Sequence, residues 1–141
     1  MAAIGAALDR ARRVRLEGLA VTGFGAWGMT LNRPDRCVIR GCRVYFNGNG
    51  LNIDSSGTDG GHNRVEHCSA WANSGLGFQI YNHRGEILRG STAFRNGGLG
   101  FRIYGVWDRG NTATIPVRLE DCLAWGNGSE FQVKAGAGHV L

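Results

Sequence analysis

The sequence predicts an all-β fold: one domain of about five stacked coils, each built from about three short strands, in a parallel solenoid closed by a short N-terminal helix. Three observations predict it. A phrase is written twice, "CSAWANSGLGFQIYN" at 68–82 and "STAFRNGGLGFRIYG" at 91–105. Apolar residues within each copy alternate by two, as strands do, while Gly and Asn fall between the runs, as turns require. An outer column of charges changes sign from one copy to the next.

The repeat extends over most of the chain. Leu19, Cys42, Cys68, Ser91 and Cys122 serve as equivalent anchors, separated by 23, 26, 23 and 31 residues, so a 23-residue unit carries insertions. Two positions after the anchors stand Val21, Val44, Ala70, Ala93 and Ala124, and three after them Thr22, Tyr45, Trp71, Phe94 and Trp125. Met29, Leu51, Phe78, Phe101 and Phe131 follow, then Leu31, Ile53, Ile80, Ile103 and Val133; Leu16, Ile39, Val65, Leu88 and Leu119 precede. No unit can bury its apolar side alone. Stacking places like over like, with strands ~4.8 Å apart.

Two columns test the stacking. Glu17, Arg40, Glu66, Arg89 and Glu120 alternate in sign, so in-register strands set opposite charges side by side. Asn47, Asn73, Asn96 and Asn127 recur five residues after their anchors, with Phe24 in the first coil; Asn suits left-handed turns and side-chain ladders. Cys42, Cys68 and Cys122 share the inward anchor column with Leu19 and Ser91, and Cys37 opens a strand. Their spacing matches neither a CxxC pair nor a zinc site, and all four read as buried thiols.

At the N-terminal end, Ile4, Ala7, Leu8 and Ala11 recur at helical spacing, which predicts a capping helix over 2–13, followed by coils over 14–134 and a tail over 135–141. The tail shows no capping pattern, so the C-terminal end is expected to meet a second copy or further chain. The 141 residues include 24 Gly and only 2 Pro, with no linker-like stretch. No run approaches the ~20 apolar residues of a membrane span, so no membrane partner is expected. The N-terminal segment also lacks a signal peptide's charge order. Net charge is +5, from 16 basic residues of which Lys134 alone is lysine. This balance admits polyanions; nucleic acid is the less favoured of them.

The phrase C-x-A-W-x-N-x-G-x-G-F-x-I at residues 68–80 resembles the coils of right-handed parallel β-helix proteins of the pectate-lyase-like superfamily, above all those of polysaccharide lyase family nine and of the alginate epimerases. The resemblance covers roughly residues 14–134. It implies a right-handed β-helix, an extracellular address and a polysaccharide, often acidic, as partner. It implies a groove on the sheet formed by "LNID" (51–54), "FQIY" (78–81), "FRIY" (101–104) and "FQVK" (131–134). The outward residues there are Thr30, Asn52, Gln79, Arg102 and Gln132, then Asn32, Asp54, Tyr81, Tyr104 and Lys134. The insertion at 105–115 brings Trp107, Asp108 and Arg109 towards the same face, and His83 and Arg84 stand on a shorter turn. Of these, Asn52, Asp54, Gln79, Tyr81, Arg102, Tyr104 and Trp107 are the candidate glycan contacts, since aromatic faces stack on sugars and Arg and amides bind carboxylates and hydroxyls.

The chemistry of the resembled enzymes is not carried over. The lyases hold calcium in a motif like N-G-D-D-G-F-D; here "NSGLGFQ" (73–79) and "NGGLGFR" (96–102) replace its Asp residues with Leu, Gly, Gln and Arg. No cofactor is predicted; calcium stays open as an alternative, although its usual carboxylates are absent. The epimerases' Asp-Pro-His-Asp is absent. Arg102 and Lys134 are candidate bases by location alone. Asp59 and His62 in "DGGHN" (59–63) fit a surface turn. The leading expectation is a carbohydrate-interacting protein without an assigned catalytic step. The alternatives are a non-catalytic assembly module or part of a larger β-helix, and then a lyase built on Arg102, Tyr104 and Lys134.

Overall fold

The computed structural model describes residues 4–55, 60–82, 84–104 and 117–134. Among the described residues sixteen strands fall into three parallel sheets. The first sheet holds β1 (Ile4–Asp9), β4 (Trp27–Asn32), β7 (Asn49–Asp54), β10 (Phe78–Tyr81), β13 (Leu99–Tyr104) and β16 (Ser129–Lys134) in that order. The second stacks β2 (Arg15–Glu17), β5 (Val38–Arg40), β8 (Arg64–Glu66), β11 (Ile87–Arg89) and β14 (Arg118–Glu120). The third stacks β3 (Ala20–Thr22), β6 (Arg43–Tyr45), β9 (Ser69–Trp71), β12 (Thr92–Phe94) and β15 (Leu123–Trp125). The chain visits the sheets in rotation, so each strand pairs with its equivalent one coil away. The solenoid expected from the repeat is therefore the fold.

One expectation fails. Residues 4–9 form a strand and not a helix: β1 pairs with β4, Ile4 opposite Trp27 and Leu8 opposite Leu31. Five strand triplets are thus preceded by one further rung, and the two five-stranded sheets span four complete turns from first rung to last. Ala6 and Leu8 point towards the core while Ala7 is exposed. The alanines satisfied both the helical and the alternating pattern, and the open edge of β4 decided between them. Leu19, expected inside with the cysteines, is 40% exposed.

The columns lie in register. Phe78 is opposite Phe101, and Ile80 opposite Ile53 and Ile103. The rings of Phe78, Phe101 and Phe131 stack with centroids 5.0 and 5.1 Å apart. A second stack, Tyr45–Trp71–Phe94–Trp125, runs along the outside of the third sheet with spacings of 4.4, 5.5 and 4.9 Å. On the second sheet Glu17 faces Arg40, Arg40 faces Glu66, Arg89 faces Glu66 and Arg89 faces Glu120. The last pair closes at 2.6 Å, and Arg89 holds the Glu120 carboxyl below its ordinary range.

The Asn column is a hydrogen-bonded ladder. Asn73, Asn96 and Asn127 each accept, through Oδ1, the backbone N–H of the Asn one coil earlier, at 3.1, 3.2 and 2.9 Å; Asn47 accepts that of Phe24 at 3.0 Å. Each Nδ2 donates to a strand carbonyl of the previous coil, as Asn96 does to Ala70 at 3.1 Å. The left-handed turn expected of the Asn residues is borne instead by the residue before them, Phe46, Ala72 and Arg95, with φ of 54°, 53° and 53°. The ladder also explains the second glycine of the repeated phrase. A Cβ on Gly77 would sit 2.9 Å from Asn96 Nδ2 and 2.7 Å from the Gly100 carbonyl.

A second column, polar only in its middle coils, occupies the core. Val14, Cys37, Asn63, Glu86 and Val117 each precede a strand of the second sheet. Asn63 accepts the Cys37 N–H at 2.9 Å and donates to Glu86 at 3.1 Å. Glu86, fully buried, also accepts the Ser55 hydroxyl and the Arg84 N–H, the latter at 2.5 Å. Its two oxygens thus meet three donors. Glu86→Gln swaps one acceptor for a donor against this set, and unfolding in urea is expected to show a loss of about 1–3 kcal/mol.

Candidate functional site

The outward face of the first sheet is built by its alternation. Residues at even steps fill the core, and those between them form two parallel rows along the axis. In the central row, Asn52 Nδ2 donates to Thr30 Oγ1 at 3.1 Å, Gln79 Nε2 to Asn52 Oδ1 at 3.0 Å, and Arg102 Nη1 to Gln79 Oε1 at 3.3 Å. Each rung orients the next, which fixes four polar side chains in one line. Gln132 extends the row in backbone register, opposite Arg102.

The second row runs Asp9, Asn32, Asp54, Tyr81, Tyr104 and Lys134, each opposite the next. Asp54 and Tyr81 are half-buried neighbours, and Asn82 donates to Asp54 at 3.3 Å. Six sequence candidates, Asn52, Asp54, Gln79, Tyr81, Arg102 and Tyr104, thus belong to adjoining rungs of one sheet, and Lys134 takes the next rung by its backbone. Trp107, Asp108, Arg109, Asp59 and His83 lie outside the described residues. His62 is exposed at a corner, and Arg84 is tied to the Gly60 carbonyl at 3.0 Å. Asp9 and Asn82 were missed. The helical spacing over 2–13 assigns Asp9 to a helix, and Asn82 follows a strand end whose turn the repeat does not show.

This face offers amides, a hydroxyl, a guanidinium and a phenol for hydroxyl or carboxylate groups. Two carboxylates, Asp9 and Asp54, share a row with Asn32 between them. Among the described residues no three His, Cys, Asp or Glu side chains converge as metal ligands.

The cysteines belong to the core. All four are free, with Cys37, Cys42 and Cys68 buried and Cys122 partly so. Burial pushes the Cys122 thiol up. Cys68 is also held up, by its hydrogen bond with Cys42 and by burial. At the last rung a cleft of about 240 Å³ is lined by Leu119, Asp121, Cys122 and Phe131. There Phe131 is 41% exposed, while Phe78 and Phe101 are fully covered.

A family model described as a right-handed β-helix region matches residues 1–139. No curated protein sequence matches the chain. Among solved structures, the periplasmic alginate epimerase AlgG and a point mutant of it are similar, each with a TM-score of 0.71 and 14% identity. The alignment covers 98% of this chain and 36% of the epimerase, so the chain spans about a third of that protein's length.

Proposed function

The chain belongs to the right-handed β-helix family, and from that premise we propose that the outward face of its first sheet binds polysaccharide. The observation that carries the reading is the Thr30–Asn52–Gln79–Arg102 ladder. A rigid line of amide and guanidinium groups beside Tyr81 presents hydrogen-bonding groups at a fixed rise, which suits a polymer of repeating sugars. The similarity to an alginate epimerase is compatible with a carbohydrate ligand and with an address outside the cytoplasm. The reading is one of binding, since the ladder uses Arg102 as a donor, its Nη1 to Gln79 Oε1 at 3.3 Å.

The test is affinity electrophoresis against neutral and uronate polysaccharides, with and without calcium. Gln79→Ala and Tyr81→Ala, separately and together, are expected to weaken retardation about tenfold for the pair. Unchanged retardation in a folded double variant would refute the reading. Unsaturated uronate appearing from pectin or alginate, and lost in Arg102→Ala, would turn it into a lyase.

A second reading is favoured by one observation. The exposed Phe131, Trp125 and Leu123 of the last rung could be covered by a further rung, from a longer chain or a second copy. A solution mass of two or more chains would support the second copy.

A further inference from the structure

The corner between the first and second sheets carries charge that the fold itself does not explain. Arg10 and Arg33 follow β1 and β4 at equivalent positions, their N–H groups donating to Asn32 and Asp54 carbonyls at 2.8 and 2.6 Å. Arg12 bridges to Asp35, so Arg13 and Arg36 are equivalent as well, and Asp35 bridges to Gly61, which makes His62 the next in that column. Five exposed arginines therefore occupy two adjoining rungs; Arg10 lies over Arg33 and Arg13 over Arg36 at ~4.8 Å, while Arg12 lies over Asp35. Like charges on neighbouring strands repel. On the second sheet the same chain alternates its signs; at Arg10 over Arg33 and Arg13 over Arg36 it does not.

The acidic groups close by are few. Asp35 receives Arg36 at 3.3 Å and Arg12 at 3.8 Å. Asp9 precedes Arg10 in the chain. Among the described residues Arg10, Arg13 and Arg33 form no ion pair.

The backbone adds a second argument. Arg10, Arg13, Arg33 and Arg36 all hold left-handed φ values of 53°, 52°, 50° and 50°. That conformation favours Gly, Asn or Asp and is unfavourable for Arg. The corner between the second and third sheets uses Gly18, Gly41 and Gly90 for the same geometry, with His67 and Asp121 in the other two coils. Four arginines thus hold positions that cost the backbone, and the repulsion between like charges on neighbouring rungs is what an anion relieves.

We propose that this corner is a polyanion rail that takes the carboxylate or sulfate groups of an acidic polysaccharide running along the edge of the first sheet. The identity of the polymer rests on the polysaccharide reading above. Two features favour a glycan over single-stranded nucleic acid. The rail adjoins the Asp9–Asn32 end of the polar rows, so one chain can touch both. Nucleic acid needs open ring faces for base stacking, and the long aromatic run lies on the third sheet with its rings stacked on each other.

The test replaces Arg10, Arg13, Arg33 and Arg36 together by Asn, which accepts the left-handed turn and removes the charge. Binding to polygalacturonate, heparin, dextran and oligothymidylate is measured at about 50 and about 200 mM salt. The quadruple variant should bind both acidic glycans at least about tenfold more weakly, with a shallower salt dependence, and should melt no lower than the parent. Arg10→Asn/Arg33→Asn serves should the quadruple variant not fold, and should show a smaller loss of the same kind. Unchanged affinity and salt dependence in a folded variant overturns the rail, as does tighter binding of oligothymidylate than of either acidic glycan. The Gln79→Ala/Tyr81→Ala protein separates the two ideas. If it alone loses glycan, the sheet reading stands and the rail falls; if only the arginine variant loses acidic glycan, the rail stands without the sheet.

Discussion

An Asn96→Ala variant is expected to lose about 3–5 kcal/mol of stability, more than most single changes to a surface-accessible turn would cause. The side chain sits at the centre of the ladder, 2% exposed. Its Oδ1 accepts the Asn73 N–H at 3.2 Å and Asn73 Nδ2 at 2.9 Å; its Nδ2 donates to the Ala70 carbonyl at 3.1 Å and to Asn127 Oδ1 at 2.8 Å. Alanine leaves the Asn73 N–H buried without its acceptor and takes one donor each from the Ala70 carbonyl and Asn127 Oδ1; an unmet buried group is worth about 1–3 kcal/mol. Asn96 itself does not carry the left-handed turn, so Gly has no advantage there, and Asn96→Gly should fare no better. Asn96→Asp keeps the acceptor, loses the donor to Ala70 and buries a charge, so it should also be strongly destabilised. Equilibrium unfolding in urea, followed by far-ultraviolet circular dichroism, measures all three. A loss below about 1 kcal/mol in Asn96→Ala would show that the ladder is ornamental to stability.

The second large effect concerns the stacked phenyl rings. Phe101→Ala is expected to cost about 3–5 kcal/mol, because the ring is wholly buried between Phe78 and Phe131 and its removal opens a cavity that two rigid sheets cannot close. Phe131→Ala should cost roughly a third of that, since its ring is 41% exposed and has a neighbour on one side only among the described residues. Thermal melting of the two variants side by side gives the comparison. Equal losses would mean that the last rung is covered as fully as the middle ones.

The sequence disclosed the central coils and hid the first rung. Equivalence of Phe78 and Phe101 could be read from letters alone because the repeated phrases are long and the side chains large. The sign-alternating column gave a separate check on register, and it holds at every described pair. Residues 2–13 misled because Ala is indifferent to period: Ile4, Ala7, Leu8 and Ala11 fit a helix, yet Ala6 and Leu8 serve a strand as well. What settled the choice was an unpaired edge on β4, a tertiary need invisible to a local window. The Val14–Cys37–Asn63–Glu86–Val117 column escaped notice for a different reason. Its members share position but not polarity, and a search for like letters passes over them. The six candidates on the first sheet were legible because outward positions follow from inward ones. The arginine corner was not, since it required Arg10 and Arg13 to be strand-flanking residues opposite Arg33 and Arg36.

The three corners differ in what they allow the chain to become. Between the second and third sheets the connection is the same short turn in every coil, and between the third and first it varies by a single residue, as from Thr22 to Trp27 against Tyr45 to Asn49. The unequal coil lengths arise mainly where the chain passes from the first sheet to the second, after Asp54 and after Tyr104. Long insertions can therefore accumulate at that one edge without moving a single rung, while the other two corners vary by one residue at most. A lineage of such molecules would diversify along one seam and grow by duplication, holding the rest of its architecture fixed.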